Sequence, residues 1–251
     1  MGGKETKKRC LVIIPAYNEE MRIGDVIAAA RAVDRVDEVV VIDDCSSDHT
    51  AEIARKAGAT VVSLVVNLGY GAALHTGYKY SYDHGYDVTV QIDGDGQHDP
   101  RYIQSLIEAL ESKRCDVVVG SRFLGSMRKY DAPLFRRVGM RFFSFLIYLF
   151  TKNEITDPTS GYQALNRNVI ELFARGNLYP SDYPDADVII LLNNMGFKIM
   201  EIPVVMYENK TGQSMHSGLK PLYYVVKMLL SIFTVLFGKH RTFLRRTHPC
   251  L

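Results

Sequence analysis

Residues 88–100 read VTVQIDGDGQHDP, a short apolar run followed by glycines, carboxylates and a proline. The mostly β-branched first part predicts a buried strand, and the second part predicts a loop. The loop places Asp93 and Asp95 on either side of a single glycine, so both carboxylates can turn toward one point. Carboxylate oxygens a few ångströms apart suit Mg²⁺ or Mn²⁺. The stretch therefore predicts a divalent-cation site at the end of a strand, where the ion would neutralise a diphosphate.

Similar acidic loops occur in other kinds of protein. An ordinary glycine-rich turn without a ligand explains the composition equally well. A calcium-binding EF-hand is excluded, because its loop needs glycine at the sixth position and glutamate at the twelfth, where this chain has His98 and Gln104. Phosphatases that form an aspartyl-phosphate also carry Asp-x-Asp, and the loop by itself leaves that class open.

The composition is that of a folded chain with a small net charge. Its 251 residues suffice for one large α/β domain or one domain with an appendage, and an apolar fraction of 47% excludes wholesale disorder. The formal net charge of +2 gives no argument for a nucleic-acid partner, and none is expected. The first apolar run, residues 11–16, is too short for a signal peptide. The cysteines lack Cys-x-x-Cys spacing, which predicts reduced thiols in a cytosolic setting.

Apolar and helical patterns alternate along the first half of the chain. The apolar segments occupy residues 10–17, 38–43, 59–66 and 88–92, and the helical patterns occupy residues 19–32, 48–57 and 71–84. A further helix is predicted at 101–112 and a strand at 116–120. This alternation predicts an α/β fold with a mostly parallel sheet and helices on both faces. In such sheets, ligands bind beyond the carboxyl ends of the strands.

Polar residues follow the predicted strands at that edge. Tyr17, after the first strand, offers a ring close to a nucleobase. Asp43 or Asp44, after the second strand, could accept hydrogen bonds from the edge of the base. Arg122 follows the strand at 116–120 and could hold a phosphate with two parallel hydrogen bonds, although a surface arginine without a ligand fits the same spacing.

The polar motifs occur in a characteristic order. They are Pro15-Ala16-Tyr17-Asn18-Glu19, Asp43-Asp44-x-Ser46-x-Asp48, Asn67-x-Gly69-x-Gly71, Asp93-x-Asp95-x-Gln97-His98 and Gly120-Ser121-Arg122. Together they resemble the motifs of family 2 inverting glycosyltransferases with the GT-A fold. Two later segments, DPTSGYQ at residues 157–163 and GQSMH at residues 212–216, are similar to segments of the polyprenyl-phosphate and dolichyl-phosphate sugar synthases.

The resemblance implies a GT-A fold, which is Rossmann-like with helices flanking the sheet, and a role for each group of residues. The nucleotide-sugar site would contain Pro15, Ala16, Tyr17, Glu19, Asp43, Asp44, Asn67 and Asp93. The metal cofactor, Mg²⁺ or Mn²⁺, would be held by Asp93, Asp95 and Gln97. The acceptor phosphate would meet Arg122, Arg136 and Arg137. The catalytic residues would be Asp95, Asp157, Asp187 and Arg122. The chain departs from the synthases at Gln163, where they often have arginine, and at Asn209 and Met215, where they have a basic pair.

The chemistry of sugar transfer depends on the acceptor. A nucleoside diphosphate leaves well once a cation spreads its negative charge, and the acceptor attacks the opposite face of the anomeric carbon, which inverts it. A lipid phosphate is already anionic, so arginines that orient it suffice. A sugar hydroxyl needs a carboxylate base. Asp187 is the candidate base, whereas Asp185 is expected to complement the dipole of the helix that follows it.

Residues 220–238 form an apolar helical pattern. The polar residues Lys227, Ser231, Thr234 and Gly238 form one narrow stripe on this helix. Its apolar run is shorter than the roughly 20 residues that a membrane span requires. Because no further chain remains to cover it, the helix is expected to lie in the membrane interface, followed by a basic tail near the headgroups.

A similar pattern at residues 137–149 would help to frame a path for a polyprenyl chain. A small membrane-protein partner, or a second copy of the chain, would explain the same apolar surfaces. The sequence thus predicts a flexible N-terminus at residues 1–9, a GT-A glycosyltransferase domain at 10–216, and an interfacial helix with a basic tail at 217–251.

The expected function is a metal-dependent, inverting transfer of a sugar from a UDP- or GDP-sugar to a polyprenyl phosphate, dolichyl or undecaprenyl, at the cytoplasmic face of the membrane. Transfer to a hydroxyl of a lipid-linked glycan, in the synthesis of a cell-surface polysaccharide, is the alternative. An aspartyl-phosphate phosphatase and a non-catalytic membrane scaffold are the remaining hypotheses.

Overall fold

The computed structural model describes residues 8–124, 134–176, 179–180, 184–207 and 220–237, with the backbone alone at 134–138 and 220–224. The strands are β1 (Cys10–Ala16), β2 (Glu38–Asp43), β3 (Thr60–Ser63), β4 (Val88–Gln91), β5 (Val117–Ser121), β6 (Gln163–Asn166) and β7 (Ile199–Pro203). The helices are α1 (Ile23–Arg31), α2 (Thr50–Lys56), α3 (Tyr70–Asp83), α4 (Ile103–Ser112), α5 (Leu134–Thr151), α6 (Arg167–Arg175), α7 (Ala186–Asn194) and α8 (Lys220–Phe237). A 3₁₀ turn at Pro100–Tyr102 leads into α4.

The strands form a seven-stranded sheet in the order β3-β2-β1-β4-β6-β5-β7. Strand β6 runs antiparallel to both of its neighbours, β4 and β5, while the other pairs are parallel. The predicted α/β fold with a mostly parallel sheet is therefore confirmed. The sequence patterns did not predict β6, which has only four residues and buries only two of them, Ala164 and Leu165.

Strand β1 lies inside the sheet and contacts a core on each face. Val12 and Ile14 pack with α1 and α4, whereas Leu11 and Ile13 pack with α3 and α6. Alternate residues face opposite sides because the side-chain period of a strand is two. All seven residues of β1 are buried. A strand covered on both faces has a continuous apolar sequence, which is why this segment was recognisable.

Helix α7 lies between the sheet core and a third apolar cluster. Val188 contacts the core that contains α3 and α6, while Ile189 and Ile190 pack with α5 and α8. In α8, Met228 and Ile232 are buried in this cluster. The expectation that no chain covers α8 is therefore wrong for one side of the helix, because the helix that covers it precedes it in the sequence.

Helices α5 and α8 also expose large apolar side chains. These are Phe142, Phe145, Tyr148, Leu149 and Phe150 on α5, and Val226, Leu229, Leu230, Phe233 and Phe237 on α8. Among the helices of the described ranges, none combines the length and the apolar character needed to cross a membrane. Residues 1–7 of the predicted flexible N-terminus, residues 208–219 and the predicted basic tail lie outside the described residues.

Candidate active site

The carboxyl ends of β1, β2, β4 and β5 lie at one edge of the sheet. Parallel pairing places Tyr17, Asp43, Asp93 and Arg122 at or just beyond this edge. Because β6 runs in the opposite direction, its first residue and the preceding loop, residues 155–162, lie at the same edge. The antiparallel strand therefore adds a second group of polar residues to those that follow the parallel strands.

The two adjacent carboxylates after β2 have different surroundings, although both are buried. Asp44 accepts hydrogen bonds from the backbone N–H groups of Leu68 at 2.7 Å and Gly69 at 2.8 Å, so both of its oxygens support the glycine loop. Asp43 accepts a hydrogen bond from the N–H of Ser46 at 3.1 Å. Of the two predicted nucleobase acceptors, Asp43 is therefore better placed, and Asp44 supports a loop.

Asn18 joins the loop after β1 to the loop after β2. Its N–H donates to Oγ of Ser46 at 3.0 Å, and its side-chain oxygen accepts from the N–H of Ser47 at 2.8 Å. Its φ of 56° lies in the left-handed region, which asparagine tolerates better than most residues. Beside it, the side chain of Tyr17 is 49% exposed. The remaining predicted nucleotide-site residues are the buried Pro15 and Ala16 and the exposed Asn67.

Asp93 is held from two directions. Its Oδ1 accepts a hydrogen bond from the hydroxyl of Tyr70 at 2.8 Å, and its backbone N–H donates to Nδ1 of His98 at 3.0 Å. Since Nδ1 is an acceptor, the ring proton of a neutral His98 is on Nε2, which lies 3.6 Å from Oδ2 of Asp93. Burial raises the pKa of Asp93 above its ordinary value, His98 opposes the rise, and Asp95 adds to it.

Glu19 and Asp95 form an acidic cluster with Asp93. Burial, reinforced by the charges of Asp95 and Asp93, raises the pKa of Glu19 to about 7. Asp95 accepts hydrogen bonds from Gln97, through the backbone N–H at 2.9 Å and through the side-chain amide. Gln97 therefore orients Asp95, and direct metal ligation by Gln97 stays a prediction.

The chemistry of this cluster fits a divalent cation. Three carboxylates that repel one another are stabilised by a nearby positive charge, and their hard oxygens suit Mg²⁺ or Mn²⁺. Within the part of the chain that the structure describes, no three His, Cys, Asp or Glu side chains are grouped as a ready-made metal site. Mg²⁺ commonly binds through one or two carboxylates together with substrate phosphates, so Asp93 and Asp95 would be sufficient protein ligands.

Arg122 and Asp157 form a buried ion pair. Nε of Arg122 donates to Oδ2 of Asp157 at 2.7 Å, and its NH2 group donates to Oδ1 at 2.6 Å. The NH2 group also donates to Oγ1 of Thr159 at 3.1 Å. Such a paired arrangement fixes the guanidinium plane. The structure thus joins two predicted site residues to each other, and any phosphate that Arg122 binds must share its guanidinium with Asp157.

Glu201, on β7, was not predicted as a site residue. Its Oε2 accepts hydrogen bonds from the N–H of Thr156 at 2.8 Å and from its hydroxyl at 3.0 Å, and its Oε1 accepts one from the N–H of Asp157 at 2.9 Å. Burial raises the pKa of Glu201 above its ordinary value. It therefore fixes the backbone that carries Asp157. The sequence signal that could have identified Glu201 is the presence of a carboxylate within a short apolar segment, Ile199–Pro203.

The two aspartates before and within α7, of which Asp187 is the predicted base, differ in burial and in contacts. Asp187 is 1% exposed and accepts hydrogen bonds from the N–H groups of Asp185 and Val188 and from the hydroxyl of Ser231 on α8. Its carboxylate thus supports the helix start and the contact with α8, which does not fit a base that meets an acceptor. Asp185 is half-buried and lies near Tyr70, whose pKa it helps to raise after burial and Asp93.

The predicted phosphate contacts of Arg136 and Arg137 lie outside the described side chains, since only the backbone of α5 is described there. The GQSMH motif, residues 212–216, also lies outside the described residues. The structure therefore describes the residues of the predicted donor side and the Arg122–Asp157 pair.

This chain is similar to a known protein family and to individual sugar transferases. The model of a family described as glycosyl transferase family 2 matches residues 11–173. An undecaprenyl-phosphate mannosyltransferase of Micrococcus luteus is 28% identical, over 84% of this chain and 88% of its own length. A UDP-N-acetylglucosamine–dolichyl-phosphate N-acetylglucosaminyltransferase of Methanococcus voltae is also 28% identical, over 86% of this chain and 94% of its own.

Solved structures of glucosyl-3-phosphoglycerate synthase from Mycobacterium tuberculosis share the fold. One of them, in complex with Mn²⁺, uridine diphosphate and phosphoglyceric acid, has a TM-score of 0.64 and 22% identity, over 93% of this chain and 78% of the other. At this identity the likeness establishes the fold alone.

Proposed function

Because this chain belongs to glycosyl transferase family 2 and is a glycosyltransferase, we propose that it transfers a sugar from a UDP- or GDP-sugar to a polyprenyl phosphate. Membership of this family sets aside the phosphatase and scaffold interpretations of the acidic loop. The observation that carries the proposal is the acidic cluster of Glu19, Asp93 and Asp95, which lies at the same edge of the sheet as the buried Asp43. The polyprenyl-phosphate and dolichyl-phosphate acceptors named for two relatives support the choice of acceptor.

On the donor side, we assign the nucleoside to Tyr17 and Asp43 and the diphosphate to the edge occupied by Asp93 and Asp95. The exposed ring of Tyr17 can stack on a base, and a buried carboxylate such as Asp43 can accept hydrogen bonds from the edge of a base. Mg²⁺ or Mn²⁺, when bound, would spread the negative charge of the departing diphosphate. The Mn²⁺ and uridine diphosphate bound by the mycobacterial synthase support this assignment.

On the acceptor side, we assign the phosphate to Arg122 with Arg136 and Arg137. The bidentate pair with Asp157 holds the guanidinium of Arg122 in one orientation, so a phosphate would meet a cation that needs little reorganisation. Asp157 would then act by orienting Arg122 instead of contacting the sugar. A lipid phosphate is anionic and attacks without a base.

The alternative acceptor, a hydroxyl of a lipid-linked glycan, requires a base. The position of Asp185 near Tyr70 favours Asp185 for that role over the buried Asp187. Replacement of Asp185 by asparagine separates the two acceptors. Transfer to a phosphate should persist in this variant, whereas transfer to a hydroxyl should fall by about 100-fold or more for want of a base.

Thermal denaturation tests the donor site. In the presence of Mn²⁺, the correct nucleoside diphosphate at about 100 times its Kd should stabilise the protein by about 2.7 kcal/mol, which corresponds to a rise in Tm of about 5–10 °C. UDP, GDP and their sugars are compared with and without the metal. The variants D93N and D95N should lose this rise, while D83N should keep it, because Asp83 is exposed at the far end of α3.

Product analysis tests the reaction. A short polyprenyl phosphate, incubated with the stabilising sugar nucleotide and Mn²⁺, should yield a lipid-linked sugar with inverted anomeric configuration. Normal product formation by the D93N/D95N double variant would refute the proposed metal role. Absence of any nucleotide-dependent rise in Tm, together with absence of product, would refute the function as a whole.

A further inference from the structure

We propose that Tyr70 is a positioning residue that fixes the orientation of Asp93, so that this carboxylate is pre-organised to bind a divalent cation. The inference rests on the proposed metal role of Asp93 and adds to it a residue outside the acidic loop. Tyr70 begins α3, directly after Gly69, whose φ of 92° places the glycine in the left-handed region. The turn at this glycine opens the helix that carries Tyr70.

The direction of each hydrogen bond around Tyr70 is determined by a buried glutamine. The hydroxyl of Tyr78 donates to Oε1 of Gln91 at 2.6 Å, and Nε2 of Gln91 donates to the hydroxyl oxygen of Tyr70 at 3.0 Å. The oxygen of Tyr70 is thus an acceptor toward Gln91, and its own proton points to Oδ1 of Asp93 at 2.8 Å. Gln91 is 2% exposed, so it has little freedom to reverse its amide.

Gly161 packs against the hydrogen bond between Tyr70 and Asp93. A Cβ at position 161 would lie 2.6 Å from the hydroxyl oxygen of Tyr70, 3.4 Å from Oδ1 of Asp93 and 3.4 Å from Nε2 of Gln91. The first of these distances is too short for any side chain, so only glycine permits the loop to approach so closely. The loop that contains Gly161 is itself held by Glu201.

These contacts fix the plane of the Asp93 carboxylate. With Oδ1 held by Tyr70 and Oδ2 lying 3.6 Å from Nε2 of His98, rotation of the carboxylate would break the Tyr70 hydrogen bond. A ligand that is already oriented loses less entropy when it binds a metal, and loss of such a supporting partner typically lowers metal affinity by about 10–100-fold.

The variant Y70F tests the inference, because it removes the hydroxyl and keeps the ring. Mn²⁺ alone is titrated into the protein without sugar nucleotide, and free Mn²⁺ is followed by electron paramagnetic resonance at a temperature well below the Tm of each variant. The Kd for Mn²⁺ should rise by about tenfold in Y70F. The matched control is Y80F, on the same helix, because the Tyr80 hydroxyl donates to Glu38 at 2.8 Å. Its Kd should not change.

A second variant keeps the inference testable if Y70F folds poorly. G161A should displace the Tyr70 hydroxyl and weaken Mn²⁺ binding in the same direction. A Kd within twofold of the wild-type value in a folded Y70F or G161A variant would overturn the role of Tyr70 and leave the proposed function intact. Failure of the wild-type protein to bind Mn²⁺ would instead overturn the metal role of Asp93 and this inference with it.

Discussion

Glu19 is the residue of the acidic cluster whose pKa is raised furthest into the neutral range. Its carboxyl group is half-buried next to two aspartates, and its pKa is raised to about 7, first by burial and then by the charges of Asp95 and Asp93. A raised pKa means that the folded protein favours the neutral form. The stability linked to this group is therefore fully present below the pKa of the unfolded chain and is lost as the pH rises through about 7.

The variant E19Q should remove this pH dependence. In the presence of EDTA, the wild-type Tm should fall between pH 5 and pH 8 more than that of E19Q, and at pH 8 the variant should be the more stable by about 1 kcal/mol, or about 2–4 °C in Tm. The control is E154Q, an exposed residue, whose Tm should follow that of the wild type. Equal pH profiles of the Tm for E19Q and the wild type would show that burial and the neighbouring aspartates do not raise the pKa of Glu19.

At the scale of secondary-structure elements, α7 connects the site to the C-terminal helix. The buried carboxylate of Asp187 accepts hydrogen bonds at the start of α7 and from Ser231 of α8. Burial raises the pKa of Asp187 despite the hydrogen bond from Ser231. Since Asp185 immediately precedes α7, the packing of α8 on α7 also fixes the segment that lies near Tyr70.

A double-mutant cycle of D187N and S231A should measure this contact. The two residues share a hydrogen bond, so their effects on the free energy of unfolding should be non-additive by about 1 kcal/mol, as determined by urea denaturation. T234A is the control, because the side chain of Thr234 is exposed and its hydroxyl donates to the carbonyl of Ser231 on the same helix. Its effect should stay within about 0.5 kcal/mol. Additive effects of D187N and S231A would contradict the contact.

At the scale of the whole molecule, the apolar residues divide into three buried clusters and an exposed set. The exposed aromatic side chains include Phe145 on α5 at 59% and Phe233 on α8 at 59%. Both helices pack their other sides onto α7. Large exposed apolar groups commonly mark contact with a membrane or another protein, so we propose that these surfaces meet the lipid that carries the acceptor.

Flotation with vesicles of phosphatidylcholine and phosphatidylglycerol should test this contact. The double variant F145S/F233S should float with the vesicles at least several-fold less than the wild type, with an unchanged Tm, because both side chains are largely exposed in the folded protein. V65S provides the control, since Val65 is 91% exposed beyond the edge strand β3. Flotation of the double variant at the wild-type level would favour a protein partner or a second copy as the contact of these surfaces.

The amino-acid pattern was sufficient to predict the fold class and the edge of the sheet at which the candidate site lies. Continuous apolar runs identify strands buried on both faces, as in β1, and the polar residues that follow such runs must lie beyond the carboxyl ends of parallel strands. The Asp-x-Asp loop after β4 was recognisable because strand, glycines and carboxylates are adjacent in the chain. Such patterns span only a few consecutive residues, and sequence periodicity gives information about structure over that distance.

Which side chains contact one another at this edge depends on the three-dimensional packing of the chain. Arg122 pairs with Asp157 across 35 positions, and Tyr70 reaches Asp93 across 23, because the antiparallel β6 and the opening of α3 bring distant loops to one edge. The burial of Asp187 has the same origin, since its hydrogen-bond partner Ser231 is 44 positions away on α8. Sequence spacing carries no information about strand direction or register over such distances, and burial of a carboxylate depends on what packs against it.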